Sequence, residues 1–263
     1  MLLENKNAII YGAGGAVGGA IARVFAREGA KVFLTGHHLA NVDAVAHDIS
    51  TTGGVVETAQ VDALDEQAVE KHISAVEKEV GSIDVSFNAI GIPQQGIQGI
   101  PLTELSIDSF ALPITSYTRA QFLTARTAAR RMLTKRSGVI LMHTPEPARL
   151  GIPLVGGMAP AWAAMEAFSR CLSAELGPQG IRAICLRSTG IPETVAFDVV
   201  LGLHAKAMGI TQQQFQSLVE GMSHRRRSTT LMELANVAAF MASDQASAMT
   251  GTVANLTGGI VVD

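Results

Sequence analysis

Ala8-Ile9-Ile10-Tyr11-Gly12-Ala13-Gly14-Gly15-Ala16-Val17-Gly18-Gly19-Ala20-Ile21-Ala22-Arg23-Val24-Phe25 is the stretch that decides the fold. Its first four residues are an apolar run that reads as a strand buried on both faces. After the glycines, Val17, Ala20, Ile21, Val24 and Phe25 recur at helical spacing and leave Arg23, Arg27 and Glu28 for solvent. The glycines let the backbone turn tightly and approach a ligand, and the helix start offers free N–H groups to an anion. Strand, Gly-rich turn and helix together make a cradle for a dinucleotide pyrophosphate. A plain tight turn is the alternative; the periodicity on both sides favours the cradle.

Outward from this stretch, strands and helices alternate. Lys31 to Gly36 reads as a second strand, Leu39 to Ser50 as a helix, Val55 to Val61 as a third strand and Asp65 to Val80 as an amphipathic helix closed by Gly81. Ile83 to Phe87 is a fourth strand. The Gln- and Gly-rich loop Pro93 to Pro101 is expected to lie across the ligand cleft. A long helix is expected from Ile114 to Thr134, with Arg119, Arg126 and Arg130 on one face, followed by a fifth strand from Gly138 to His143. Gly156 to Leu176 is helical, with Met158, Trp162, Met165, Phe168 and Leu172 near helical period. Ile181 to Leu186 is a sixth strand, Gly190 to Ser228 an inserted helical flap over the substrate, Leu231 to Ala242 a helix and Thr252 to Leu256 a last strand. This order predicts one α/β domain over residues 1–263. It is a doubly wound Rossmann-type fold with a mainly parallel sheet and helices on both faces.

Composition limits the function. Apolar residues make up 48% of the chain and charged ones 16%, which points to much buried surface and an oligomer. A net charge of -3 and 5% aromatic residues give no case for nucleic acid or an anionic membrane. No run approaches the ~18 apolar residues of a membrane span. Met1 to Lys6 leads directly into a strand without a signal-peptide pattern, so a cytoplasmic chain is expected. Cys171 and Cys185 lie in apolar patterns and read as buried thiols. No metal centre is expected. The second strand ends in Gly36-His37-His38, with no carboxylate for a ribose 2′-OH. That tilts the cofactor from NAD(H) toward NADP(H), with His37 beside the 2′-phosphate. The other reading leaves both histidines as exposed loop residues.

With these motifs in order, the chain resembles a short-chain dehydrogenase/reductase over nearly its whole length. The family's Gly-x-x-x-Gly-x-Gly motif falls on Gly12, Ala16 and Gly18, and its adenine-contacting Asp on Asp62. Its Asn-Ala-Gly motif falls on Asn88-Ala89, with Ile90 inserted before Gly91. Its Pro-Gly motif appears as Thr189-Gly190, and the nicotinamide-holding Thr as Thr194. Ser243-Asp244 to Gly251 and Gly258-Gly259 match its C-terminal pattern. Turn and resemblance together imply a cofactor set of Gly12, Gly14, Gly15, Val17, Gly18, His37, Asp62, Ala63, Asn88, Ala89, Gly91, Gly190, Ile191 and Thr194. The resemblance also implies a small-molecule substrate, apolar by composition, and a homodimer or homotetramer.

The family's acid–base residues do not carry over. Counted back from Ala174-Glu175-Leu176, its Tyr position is Met158 and its Lys position Trp162. The two tyrosines, Tyr11 and Tyr117, have no lysine four residues on. The family's Ser falls at Thr144 or Pro145, and its Asn at or near Tyr117. In the family the Tyr hydroxyl passes a proton to or from the substrate oxygen, the Lys lowers its pKa, and the Ser hydrogen-bonds the carbonyl. Losing one positioned acid costs roughly 10²–10⁴ in rate, about 3–5 kcal/mol of barrier. The candidate substitutes are Tyr117, on the facing helix, with His143 and Thr144 at the carboxyl end of the fifth strand, where Glu146 follows. Against this, the plainer reading makes Tyr117 a helix-packing aromatic and His143 a satisfied near-core imidazole. Met158, Trp162 and Met165 read as an apolar stripe serving a dimer or a pocket wall. Arg225-Arg226-Arg227 reads as solvated surface or as a contact for an acidic substrate.

Three functions fit. One is an NAD(P)-dependent oxidoreductase with an altered proton source, such as a reductase of polarised C=C bonds that draws its proton from water. The second is a non-redox isomerase, cyclase or lyase using the same pocket. The third is an inactive dinucleotide-binding or partner subunit.

Overall fold

A computed structural model of the chain describes residues 1–262. The elements in chain order are β1 (Asn7–Tyr11), α1 (Ala16–Arg27), β2 (Lys31–Gly36), α2 (Leu39–Thr51), β3 (Val56–Gln60), α3 (Glu66–Val80), β4 (Val85–Asn88) and α4 (Ile107–Lys135). They continue with β5 (Gly138–Pro145), α5 (Met158–Leu176), β6 (Ile181–Ser188), α6 (Val195–Met208), α7 (Gln212–Met222), α8 (Leu231–Ala242) and β7 (Val253–Leu256). The seven strands form one sheet in the order β3-β2-β1-β4-β5-β6-β7, and every pairing is parallel. The order reverses between β1 and β4, where Tyr11 pairs with Asn88. In such a sheet the crevice outside the carboxyl ends at the reversal is where ligands bind.

Both faces of the sheet are covered, as the uninterrupted apolar strands require. Ile10, Leu34, Phe87, Leu141 and Ile184 pack with Ile21 and Phe25 of α1, Val45 of α2 and Leu234 of α8. Ile9, Tyr11, Phe33, Ile140 and Met142 pack on the other side with Ile73 of α3, Met132 of α4 and Met158, Trp162 and Met165 of α5. Successive residues of β1 thus point to opposite layers, the period-two rule at work. Among the described residues, no helix is long and apolar enough to cross a membrane.

Local chemistry fixes the ends. The Asp65 side chain accepts the Gln67 and Ala68 amides to start α3, and Gly81, at φ 77°, ends it. Capping boxes start α7 at Thr211 and Gln214 and α8 at Thr230 and Glu233. Arg126 pairs with Glu66, and Arg131 with Glu70 and Glu77, tying α4 to α3; Arg119 Nε donates to the Leu64 carbonyl at 3.1 Å.

Three expectations are corrected. The long helix starts at Ile107 rather than Ile114 and runs through Pro113. Ser106 caps it by accepting the Ser109 amide at 3.1 Å. Pro113 packs on Gly157, where a Cβ would stand 1.9 Å from the Phe110 carbonyl oxygen and 2.9 Å from Pro113 Cγ. Strand β5 continues past His143 because Thr144 and Pro145 pair with Arg187 and Ser188 of an equally extended β6. Cys171 is exposed and only Cys185 is buried; Leu172 takes the inward position on α5, and its neighbour Cys171 turns out beside Arg170.

Candidate functional site

The turn after β1 needs its glycines. Gly12 has φ +74°, and a Cβ there would stand 2.8 Å from the Ala89 backbone. At Gly18 a Cβ would stand 2.4 Å from the Gly12 carbonyl oxygen, and at Gly14 2.9 Å from Asn41 Cβ. Ala16, in the middle of the motif, opens α1 without hindrance. No side chain caps α1, whose N-cap is Gly15, so its first-turn amides remain free to meet an anion. Close backbone approach and free helix-start amides are what a dinucleotide pyrophosphate cradle requires.

The other expected cofactor residues surround this turn. Asp62 is exposed, with Oδ1 accepting the Leu64 amide at 2.9 Å, and Ala63 beside it is buried. His37 is exposed and packs on His38, ring centroids 5.3 Å apart. Asn88 is buried; its Nδ2 donates to Thr124 Oγ1 at 3.0 Å and its Oδ1 accepts the Ile90 amide at 3.0 Å. Ala89 and Gly91 line the cleft, though a Cβ on Gly91 would meet nothing within 4 Å. Across the cleft, Gly190 lets Phe197 approach, since a Cβ there would be 2.1 Å from the ring. Ile191 also lines the cleft. Thr194 caps α6, accepting the Phe197 amide at 3.2 Å and donating to the Ile191 carbonyl at 2.9 Å.

The cleft opens into a cavity of about 760 Å³. Gly14 to Val17 form one end, and Ile152, Val155, Trp162, Met165 and the flap residues Phe197, Val200, Phe215, Leu218 and Met222 form the rest. Its polar lining includes Gln94, Gln98, Tyr117, Gln121, His143, Glu146 and His204, with no lysine or arginine among the described residues. Trp162 and Met165 of the α5 stripe are therefore pocket wall, whereas Met158 is buried in the core. The Gln-rich loop does lie over the cleft. Gln94 Nε2 donates to the Ile92 carbonyl at 2.7 Å, Gln98 Nε2 to Gln94 Oε1 at 2.6 Å, and His204 Nε2 to Gln98 Oε1 at 3.0 Å.

The catalytic candidates fare differently. Burial pushes the Tyr117 phenol up to about 12, with the Ile92 amide and the Trp162 side chain opposing. Ser188 Oγ donates to the Thr189 carbonyl at 2.7 Å, so its 2.9 Å contact with His143 Nε2 makes the imidazole the donor. Burial lowers the pKa of His143 to about 4, which keeps the ring neutral. Thr144 does not reach the cavity. Strand alternation turns it away between His143 and Pro145, and its hydroxyl donates to Glu166 Oε1 at 3.0 Å.

Two acids carry more than their sequence signals suggested. Glu166, among the apolar residues of α5, accepts Arg187 Nε at 2.7 Å and Nη2 at 2.6 Å. Glu146 heads the short 3₁₀ turn after β5, lines the cavity and is buried, and its Oε2 has no hydrogen-bond partner. Desolvation raises its pKa to about 7 against the pull of the Glu146 and Gly190 amides. Glu166 was readable as a lone acid at an inward helical position; only its place after the fifth strand singled out Glu146. The arginine run lies off the site: Arg225 and Arg227 pair with Glu233, and Arg226 donates to the Gly221 carbonyl.

Residues 12–261 match the family model described as Enoyl-(Acyl carrier protein) reductase. The chain is 29% identical over 259 residues to the uncharacterized oxidoreductase YxbG of Bacillus subtilis (strain 168), covering 98% of this chain and 92% of that one. It is 30% identical over 260 residues to the 3-oxoacyl-(acyl-carrier-protein) reductase FabG of Chlamydia muridarum, covering 98% of each. Among solved structures, NAD+-bound xylitol dehydrogenase shares the fold at a TM-score of 0.92 and 24% identity, over 98% of this chain and 100% of that one. Levodione reductase superposes at 0.87 with 26% identity over 98% of each. The chain belongs to the short-chain dehydrogenase/reductase family.

Proposed function

We propose that the chain is an NAD(P)(H)-dependent oxidoreductase, favouring NADP(H), that acts on an uncharged and largely apolar small molecule. One observation carries this reading: the glycine cradle and the apolar cavity are a single continuous space, with Gly14 to Val17 and Trp162 on its walls. A nicotinamide cofactor, when bound, supplies or accepts a hydride there. The amides of Gly14, Ala16 and Val17 would hold its pyrophosphate, Asp62 and Ala63 its adenine end, and Asn88 to Gly91 with Gly190 to Thr194 its nicotinamide end. His37, with no carboxylate at the end of β2, leaves room for a 2′-phosphate. The lining offers no cation to a charged substrate.

Met158 and Trp162 stand where the resemblance places the family's Tyr and Lys, so ordinary ketone reduction by that pair is not the route. A thioether and an indole give no proton to an alkoxide. A polarised C=C bond, or a carbonyl served by another acid, fits this pocket better. Homodimer or homotetramer assembly goes with the reading and is checked by light scattering.

The test uses the single tryptophan. Trp162 lines the cavity, and its emission overlaps the absorption of reduced nicotinamide. Titration of NADPH into cofactor-stripped protein should quench it with a micromolar Kd, NADH binding about tenfold more weakly, a difference of ~1.4 kcal/mol. Failure of both to bind overturns the reading and turns attention to a partner-subunit role. Binding without hydride transfer to any uncharged enone, quinone or ketone favours a non-redox use of the pocket.

A further inference from the structure

The cavity holds one buried carboxyl with an oxygen that meets no partner. We propose that Glu146 is the group that gives and takes the proton at the substrate's oxygen in this chain. The inference rests on the oxidoreductase reading above and names the residue that does the work of the missing hydroxyl.

Geometry carries it. Pro145 and Pro147 flank Glu146, and proline fixes φ on both sides of it. Together with the hydrogen-bonded end of β5, they hold the side chain at the carboxyl edge of the sheet, where catalytic groups gather in this architecture. The residue is 6% exposed, and Oε2 has no partner. A buried carboxyl oxygen without a partner is costly in a protein that never uses it. A substrate oxygen in the cavity would satisfy it.

The surrounding groups leave Glu146 as the donor. On β5, His143 already gives its Nε2 proton to Ser188. From α4, the Tyr117 phenol accepts from the Ile92 amide and the Trp162 side chain, and burial pushes it up to about 12, so it yields its proton far less readily than the Glu146 carboxyl. From α6, His204 donates to Gln98 and stacks on Phe215 with ring centroids 5.1 Å apart. Behind Thr144, Glu166 and Arg187 form an ion pair that is neutral in sum. With no cation lining the cavity, burial keeps the Glu146 carboxyl protonated up to about pH 7. A general acid is most effective when it titrates near the operating pH.

The step balances. As the carbonyl carbon, or the β-carbon of an enone, gains a hydride with its electron pair, the π electrons move to the substrate oxygen. The Oε2–H bond breaks and its proton passes to that oxygen. The reduced nicotinamide is oxidised and the substrate reduced. The carboxylate left behind regains a proton from water. In the oxidative direction the same carboxylate accepts the proton of the substrate hydroxyl.

Wild type, Glu146→Gln and Glu146→Asp decide the matter in two measurements. Infrared difference spectra of cofactor-free protein should show a carboxylic-acid band that titrates between pH 6 and 8 in wild type and is missing in Glu146→Gln. Its absence from wild type overturns the assignment, whatever the cofactor does. NADPH-dependent reduction of 9,10-phenanthrenequinone and 2-cyclohexenone should fall by ~10²–10⁴ in kcat in Glu146→Gln. The NADPH Kd should stay unchanged, Glu146→Asp should recover part of the rate, and the wild-type decline in kcat above neutral pH should vanish. Equal rates in wild type and Glu146→Gln remove the catalytic role and leave the oxidoreductase reading standing. Wild type that shows the band and binds NADPH but transfers no hydride overturns that reading, and the donor role with it.

Discussion

Glu166→Gln should destabilise the chain strongly. Three hydrogen bonds end on the Glu166 carboxylate: Thr144 Oγ1 at 3.0 Å, Arg187 Nε at 2.7 Å and Arg187 Nη2 at 2.6 Å. The side chains of Glu166 and Arg187 are only 5% and 6% exposed, so water screens almost none of the interaction. The substitution keeps the shape but removes the Glu166 charge from beside the buried Arg187 guanidinium. Breaking one partner of such a pair costs about 3–5 kcal/mol. At about 2–4 °C per kcal/mol for a chain near this size, the Tm should fall by roughly 6–20 °C. Replacing both Glu166 and Arg187 by Met removes both buried charges, and the double variant should recover part of the loss. Urea denaturation of wild type, both single variants and the double variant gives the coupling free energy from a double-mutant cycle. A Glu166→Gln variant within 1 kcal/mol of wild type, or additive single losses, would refute the argument that this pair pins α5 to the sheet.

Other outcomes follow from the same geometry. Gly18→Val forces a Cβ to within 2.4 Å of the Gly12 carbonyl oxygen, so NADPH binding should weaken at least tenfold and stability should drop by ~1–3 kcal/mol. Gly91→Ala, facing open space, should change stability by less than ~0.5 kcal/mol; calorimetry measures both. Met158→Tyr combined with Trp162→Lys should raise ketone reduction by ~10²–10⁴; no gain on a panel of uncharged ketones would sink the assignment of those two positions. The Glu146 carboxyl is raised from 4.5 to about 7 in the fold. The folded state therefore holds its proton where the unfolded state does not, and stability falls as pH rises from 4.5 through 7. The full difference is about 3 kcal/mol. Wild type should lose that much relative to Glu146→Gln between pH 4.5 and 8 in urea melts. A pH-independent difference would show the carboxyl ionised throughout. His143 works in the opposite sense: lowered to about 4, it gives up stability as pH falls from 6.5 through 4.

The elements were legible wherever periodicity and punctuation agreed. Ile9 and Ile10 pack into opposite layers as a doubly buried strand must, and Asp65 and Gly81 bracket α3 by local chemistry alone. Where tertiary packing overrode local rules, the sequence misled. Pro113 reads as a helix boundary, yet its contact with Gly157 keeps it inside α4. Cys171 shares an apolar helix with Leu172 and still turns outward. The site was legible at the glycine turn, where steric need and chemistry coincide. It was less so at β5, because the extra pairs with β6 set which residue faces the cavity and so removed Thr144 from it. Glu146 and Glu166 are both acids in apolar surroundings. Only the partners that fold against them separate a carboxyl with one bare oxygen from an ion-paired one.

The Gln94–Gln98–His204 chain has a consequence for how fast ligands come and go. Gly99 lies so close to Leu203 of α6 that a Cβ would stand 2.9 Å from its carbonyl oxygen, and the Gly99 amide donates to the Leu154 carbonyl at 2.8 Å. Loop 93–101, the segment before α5 and the first flap helix are thereby one latched unit. Moving the first flap helix away from this loop means breaking the buried His204–Gln98 bond. The expected outcome is a gate with two states whose opening rate limits association. In stopped flow, the observed rate should level off with rising ligand concentration. Loosening the latch by Gln98→Ala should lift that plateau and shorten residence time, even for ligands that never touch the glutamine.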